Sequence, residues 1–238
     1  MDIRNVRGLV LILFFISLGC HQCAEAGFAS RLADAHQFRL SYSAGMMRRK
    51  MSTLNDFPKR KEIWDLGFGI VRVGYGINKK FGVSIDVAGY RQRSGIGDML
   101  ALSGTFGGSL QGTIVPLGSG RALDATGTYW EDHHTKVYSN GSEVEIWTVR
   151  VFSLVARQSL KNYYNGYGGP FYTHFRYENL SSGWYNAKSR LANSSWSSQR
   201  DLGLVCGMEA KWFGHLTFNA EGTYTGDWGL TGEVGWEF

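Results

Sequence analysis

Cysteine and proline are scarce in this chain of 238 residues, which contains 3 Cys and 3 Pro. Three cysteines cannot build the disulfide framework of a small secreted domain. Only 19% of the residues are charged and 43% are hydrophobic, which excludes an intrinsically disordered chain. No run of about 18 apolar residues follows the N-terminal export signal, so helical membrane spans are excluded.

Glycine and aromatic residues are abundant instead: there are 32 Gly, and aromatics reach 14%. The glycines follow no Gly-X-Y period, so a collagen-like chain is excluded. The formal net charge is only +5, and no stripe of basic and aromatic residues accompanies it, which argues against nucleic-acid binding. A water-soluble β-rich protein and a membrane β-barrel are the two classes left.

Residues 1–26 have the pattern of a secretory signal peptide. Arg4 and Arg7 precede a short apolar run, Leu9–Leu18, and Ala24–Ala26 supplies small residues at the cleavage positions. Export followed by cleavage after Ala26 is therefore expected.

Lipid attachment at Cys20 is the alternative processing route. Ser17–Cys20 loosely resembles a lipobox, although Ser17 stands where that pattern has Leu. Cleavage after Ala26 removes Cys20 and Cys23 and leaves Cys206 alone, so the mature chain would have no internal disulfide.

From residue 38 onward, apolar and polar residues alternate with the period of a β-strand. The last segment, 228–238, is the clearest example, since Leu230 and Val234 alternate with Thr231 and Glu233. Each segment is near the 9–11 residues that a tilted strand needs to cross a bilayer. Ten strands are expected, at 38–48, 62–77, 82–92, 99–115, 122–131, 144–157, 168–178, 200–211, 215–225 and 228–238.

The segment 122–131 has the weakest alternation, so eight strands is the alternative count. Within 62–77 the apolar positions change phase, which predicts a β-bulge near Ile70 and Val71.

The connections alternate between short turns and long polar loops, as in outer-membrane barrels. Long loops are expected at 49–61, 132–143 and 179–199, and short turns at 78–81 and 213–214.

Tryptophans fall near the predicted strand ends, where outer-membrane barrels carry aromatic girdles. One girdle would contain Trp64, Trp130, Trp147 and Trp228, and the other Trp212 and Trp236. A secreted β-sandwich also alternates, but its edge strands need protective charges or prolines. Scarce prolines and aromatic strand ends favour the barrel.

The terminal strand Trp228–Phe238, with its final Phe, resembles the C-terminal signature of bacterial outer-membrane β-barrels. The hairpin Val73–Val87 is also similar to hairpins of small members of that class. The resemblance implies an up-and-down transmembrane barrel over 38–238 in a Gram-negative outer membrane. It also implies recognition of the strand ending at Phe238 by the barrel-assembly machinery. Residues 27–37 lie outside the resemblance and would form a short periplasmic segment.

Charges of both signs are expected to face the lumen. They are Arg39, Arg72, Arg150, Arg176 and Lys211, against Asp65, Asp86, Asp124, Glu178, Glu209, Glu221, Glu233 and Glu237. A barrel of eight to ten strands is largely filled by its own side chains, which favours a salt-bridged, closed interior. A narrow conducting pathway and a conduit for a hydrophobic ligand are the alternatives. Cys206 would face lipid.

Two histidine-containing segments are candidate catalytic sites. His174 is expected to face the lumen without a carboxylate to orient its ring. Asp132 and His134 resemble half of the catalytic set of omptins, the ten-stranded surface proteases, but no Asp-x-Asp partner is found. We therefore expect no catalytic residue, cofactor or metal site.

A basic segment near residues 48–61 is the one predicted ligand site. It contains Arg48, Arg49, Lys50, Lys59, Arg60 and Lys61, opposed only by Asp56. Facing outward, these cations would contact lipopolysaccharide or another surface polyanion. The alternative is a solvated loop that only maintains solubility.

The sequence thus predicts a non-catalytic, structural or porin-like outer-membrane barrel with long polar surface loops. A surface-binding, adhesin-like barrel that contacts lipopolysaccharide is one alternative. An outer-membrane enzyme such as an omptin-like protease is the other.

Overall fold

A computed structural model describes residues 33–56, 58–94, 97–138, 141–161, 164–183 and 194–238. The predicted signal peptide and most of the segment 27–37 lie outside these ranges. No helix in the described ranges is long and apolar enough to cross a membrane.

The described residues form eleven β-strands. They are β1 (Phe38–Thr53), β2 (Lys61–Gly76), β3 (Phe81–Ser94), β4 (Gly97–Gly118), β5 (Arg121–Tyr138), β6 (Gly141–Lys161), β7 (Tyr164–Gly183), β8 (Ser195–Ser198), β9 (Leu202–Trp212), β10 (Leu216–Tyr224) and β11 (Trp228–Glu237). The predicted count of ten is confirmed for the long strands, including the weak segment that becomes β5. The short strand β8 was not predicted.

Antiparallel pairing closes the sheet into a barrel, because β11 pairs with β1 from Glu237–Arg39 to Gly229–Met47. We call the end that carries Phe38 and Phe238 the terminal end, and the opposite end the loop end. At the terminal end the wall contains ten strands.

At the loop end of the described wall, β8 takes the place of three strands. It pairs with β7 through Arg176–Glu178 and with β1 through Met51–Thr53, beyond the ends of β9 and β11. The wall therefore narrows from ten strands to eight.

Around the terminal half, the outward face of every long strand is apolar. Where side chains are described, Gln158 is the one outward residue that is neither apolar nor glycine. We call this surface the apolar belt; it covers 38–46, 67–75, 81–89, 106–114, 123–129, 152–160, 164–172, 202–212, 216–224 and 228–236. Cys206 is exposed on this surface, as predicted.

In the loop half, most of the large apolar side chains face inside. Arg49, Asp132 and Glu145 are also buried there, and Ile63 and Leu180 are exposed outside. Adjacent outward and inward residues mark the change on five strands: Met46 and Met47, Val71 and Ile70, Tyr129 and Trp130, Phe152 and Val151, Tyr172 and Phe171. The phase change predicted as a β-bulge in β2 is this reversal. The β2–β3 register runs without a shift from Trp64–Ser94 to Gly76–Gly82, so the predicted bulge at Ile70 and Val71 is wrong.

The reversal also corrects the predicted girdle and lumen. Trp64, Trp130 and Trp147 are buried inside the barrel, whereas Trp228 and Trp212 are exposed outside. Five side chains predicted to face the lumen face outward instead: Asp65, Arg150, His174, Arg176 and Glu178. The predictions assumed that the apolar side is always outside, and the loop half breaks that rule.

Much of the sequence predicted as loops is strand. β1 continues to Thr53, β5 to Tyr138, and β7 to Gly183, within the predicted loops 49–61, 132–143 and 179–199. These extensions occur because the loop half has its own apolar interior to support them.

Candidate functional site

The lumen of the terminal half holds a buried network of charged side chains. Arg72 on β2 makes two hydrogen bonds to Asp86 on β3, Nε to Oδ1 and Nη2 to Oδ2, both at 2.9 Å. Asp86 also accepts hydrogen bonds from Ser84 at 2.8 Å and from Trp130 Nε1 at 2.9 Å. A bidentate Arg–carboxylate pair with further donors compensates the desolvation of both charges.

Two further arginines extend this network around the wall. Arg39 on β1 forms an ion pair with Glu233 on β11, which also lies 3.9 Å from Arg72. On the other side, Arg157 on β6 lies 2.7 Å from Asp124 and 3.8 Å from Glu209. The predicted inward positions of Arg39, Glu233, Asp124 and Glu209 are confirmed, whereas Arg157 was not among the predicted lumen charges.

Tyr167 links the network to β10. Its hydroxyl oxygen lies 2.8 Å from Glu221 Oε2 and 2.9 Å from Asn219 Oδ1, either of which can accept its proton, while Arg157 lies 5.0 Å from its ring centroid. A Cβ at Gly207 would lie 2.4 Å from this hydroxyl, so glycine makes room for the ring. The network therefore lines the terminal half of the lumen.

The segment before β1 lies at the terminal mouth. Ala35 bridges to Gly76, and Asp34 forms a 2.7 Å ion pair with Lys211, which also contacts Glu237. These contacts join β2, β9 and β11 through the chain that precedes the barrel.

Aromatic and aliphatic side chains fill the lumen of the loop half. Trp64 lies 5.8 Å from Trp147, 5.7 Å from Tyr177 and 5.2 Å from Trp196, measured between ring centroids. Below them is a cavity of about 40 Å³ with an apolar lining that includes Phe68, Trp130 and Phe175. Buried rings in contact around a small apolar cavity are typical of a protein core. This core was not predicted from the sequence, although the tryptophans were a visible signal.

The six predicted polyanion-binding cations do not form one surface. Arg49 is buried in the lumen, where its guanidinium lies 5.4 Å from the Phe175 ring centroid. The exposed members are partly neutralised: Arg48 pairs with Asp65 at 2.9 Å, Lys50 with Asp227 at 3.6 Å and Arg60 with Asp56 at 2.6 Å. Lys59 and Lys61 are exposed. Binding to a polyanion stays a prediction.

The residues considered for a protease are also separated. Asp132 is buried and faces inward, whereas its neighbour His133 faces outward and pairs with Glu131. The hydrogen bond from Tyr129, followed by that from His133, holds the pKa of Glu131 below its usual range. Glu131 lies beyond the apolar belt. The side chain of His134 lies outside the described residues.

His174 has the orienting carboxylate that the sequence did not predict. Its Nδ1 lies 2.8 Å from Asp201 Oδ2, and Ser198 donates to the other oxygen of Asp201. The aspartate precedes β9, so only the fold brings it to the histidine. Among the described residues, no group of three or more His, Cys, Asp or Glu is arranged to hold a metal ion.

No protein-family model matches the chain, and no curated protein matches it in sequence. Among solved structures, an outer-membrane channel from Pseudomonas putida F1 is similar with a TM-score of 0.47 and 10% identity, over 90% of this chain and 99% of that one. The translocator domain of the autotransporter NalP from Neisseria meningitidis is similar with a TM-score of 0.43 and 10% identity, over 98% and 95%. Neither score reaches 0.5, and the closed barrel follows from this chain's own strand pairing.

Proposed function

We propose that this chain is a non-catalytic β-barrel of a Gram-negative outer membrane, porin-like in architecture but closed to free diffusion through its lumen. The terminal half spans the bilayer with the terminal end toward the periplasm. The loop half, in which the barrel strands continue beyond the bilayer, projects from the cell surface. Export through the signal 1–26 and assembly through the strand ending at Phe238 belong to the same proposal.

The reversal of the apolar face is the observation that carries this proposal. An apolar belt about nine residues tall suits lipid, whereas a polar exterior around an apolar core suits water. The change from one to the other at Met46 and Met47 marks a boundary between the two solvents. Arg48 and Asp65 follow immediately beyond the belt.

A closed lumen is supported by the contents of both halves. The charged network around Arg72 and Arg157 lines the terminal half, and the packed rings around Trp64 fill the loop half. Free passage of ions would require a continuous wetted path past both. This favours a surface-presenting protein over an open porin.

Topology is tested by labelling single cysteines with a membrane-impermeant maleimide, in a background in which Cys206 is serine. Leu180→Cys should react in intact cells, and Lys79→Cys only after the outer membrane is permeabilised. Ile85→Cys, in the belt, should react in neither. Labelling of Ile85→Cys in intact cells would contradict membrane insertion.

The closed lumen is tested by recording from the refolded mature chain in a planar bilayer. We expect insertion without discrete conductance steps. Reproducible steps from the wild-type chain would overturn the closed lumen and restore the open-porin alternative.

The omptin-like alternative has a separate test. We expect no peptide hydrolysis by the folded wild-type barrel at its loop end. Hydrolysis that is abolished by Asp132→Asn, while folding is retained, would contradict the non-catalytic proposal.

A further inference from the structure

The outer wall carries an apolar groove of about 410 Å³ across β5, β6, β7 and β9. Its floor includes Gly127, which has no side chain, and its sides are formed by Phe152, Leu154, Pro170, Tyr172 and Leu202. Gly127 pairs with Phe152, Phe152 with Tyr172, and Tyr172 with Leu202, so four of these residues lie on one rung of the sheet.

The groove arises from local sequence features. Gly127 leaves open the space beside Phe152, whose ring stands 6.0 Å from that of Tyr172. The β6–β7 ladder passes from Ser153–Phe171 to Ala156–Gly168 around Pro170, which has no N–H to donate. The result is a concave apolar surface within the belt.

Polar groups lie directly beyond the groove toward the loop end. Arg150 and His174 pair across β6 and β7, two residues beyond Phe152 and Tyr172, which is about 7 Å along each strand. The exposed Arg150 guanidinium lies 6.0 Å from the Tyr129 ring centroid. Because Asp201 holds His174 through Nδ1, Nε2 is the ring nitrogen left for a ligand.

We propose that this groove binds a phosphorylated glycolipid of the outer leaflet. An acyl chain lies in the groove against Phe152, Tyr172 and Leu202, and a phosphate contacts Arg150 and His174. The inference rests on the proposed function, since that orientation puts the polar end of the groove at the level of the lipopolysaccharide phosphates. An arginine at the rim of an apolar groove matches a ligand that is apolar at one end and anionic at the other.

The test is native mass spectrometry of the folded mature barrel titrated with purified lipid A. Dephosphorylated lipid A and phosphatidylglycerol are titrated in parallel. Arg150→Ser should weaken lipid A binding about tenfold or more, because it removes a charge-assisted hydrogen bond. Gly127→Leu should weaken it similarly by filling the groove. Dephosphorylated lipid A should bind the wild type as weakly as lipid A binds Arg150→Ser.

Matched controls exist away from the polar end of the groove. Arg121→Ser removes an exposed arginine at the terminal edge of the belt. Gly69→Leu, on β2 across the barrel, fills space beside an outward ring, since a Cβ there would lie 3.0 Å from Tyr42, much as one at Gly127 would lie 3.3 Å from Phe152. Both variants should bind lipid A within about twofold of the wild type.

Three outcomes would overturn the inference: unchanged lipid A binding by Arg150→Ser, equal binding of phosphatidylglycerol, or a second copy of the chain occupying the groove. Failure of the proposed function has a different signature. In that case the cysteine-labelling pattern itself would not fit membrane insertion, whatever the lipid titration gave.

Discussion

Trp130 on β5 donates its indole N–H to Asp86 on β3 at 2.9 Å, past the intervening strand β4, and its ring belongs to the apolar core of the loop half. One side chain thus joins the two interiors of the barrel. A Cβ at Gly107 would lie 2.1 Å from this ring, so the opposing strand leaves space for it. The space at Gly107 thus allows the Trp130 ring to lie between the apolar core and the charged network.

Trp130→Phe tests this junction. The variant keeps most of the buried ring but removes a hydrogen bond to a buried carboxylate, so we expect a loss of about 1.5–3 kcal/mol of unfolding free energy. Urea titration of the barrel folded into lipid vesicles measures the loss. Trp212→Phe, at an exposed position, is the control and should change little. Equal effects of the two variants would show that the Asp86 bond contributes nothing.

Arg72→Met tests the charged network against a matched surface pair. Arg72 and Arg48 each pair with an aspartate at 2.9 Å, but the Arg72–Asp86 pair is buried and the Arg48–Asp65 pair is exposed. Removing Arg72 leaves buried carboxylates uncompensated and should cost about 3–5 kcal/mol of unfolding free energy. Arg48→Met should cost under about 1 kcal/mol. The same vesicle titration compares them, and similar losses would argue against a desolvated network.

A lysine scan along β2 tests the reversal of the apolar face. Val73→Lys puts a charge into the belt and should cost up to about 2–4 kcal/mol of folding free energy. Leu66→Lys puts one into the apolar core and should also destabilise the barrel. Ile63→Lys, outward in the loop half, should be tolerated. The yield of heat-modifiable folded barrel ranks the three variants by stability. A loss of folded barrel in Ile63→Lys as large as that in Val73→Lys would contradict a water-exposed loop half.

The basic segment is tested without altering Arg49. Replacing the two exposed lysines, Lys59 and Lys61, with serine should weaken the salt-sensitive binding of the barrel to lipopolysaccharide, because other cations in this segment already have carboxylate partners. Surface plasmon resonance at two ionic strengths measures it. Arg49→Ser should lower stability and leave the salt dependence unchanged. Full binding by the double lysine variant would refute this site.

The outward faces of the belt strands could be predicted because one rule holds along their whole length: their apolar residues face outward. It gave the faces of β9, β10 and β11 correctly, from Leu202 to Trp236. The rule failed for Arg150 and His174, because those residues lie beyond the point where the apolar side moves inward. Val151 and Phe152 are both apolar, and the sequence does not say which of them faces the lumen.

The contacts within the site depend on register, which period-two alternation does not fix. Arg72 meets Asp86 only because those two positions are paired on β2 and β3. Asp201 reaches His174 through the turn after β8, and Ser195–Ser198 carries no alternation that would identify it as a strand. The sequence therefore predicts which residues face the lumen better than it predicts which of them contact each other.

The strand β8 has a consequence for the order of assembly. It makes three residue pairs with β7 and three with β1, and these two strands lie far apart in sequence. Four residues cannot form a stable strand alone, so β8 needs both neighbours in position before it gains anything by docking. Its docking also buries Trp196 among the rings of the core. We expect the seam between β1 and β7 at the loop end to close last during folding and to open first during unfolding.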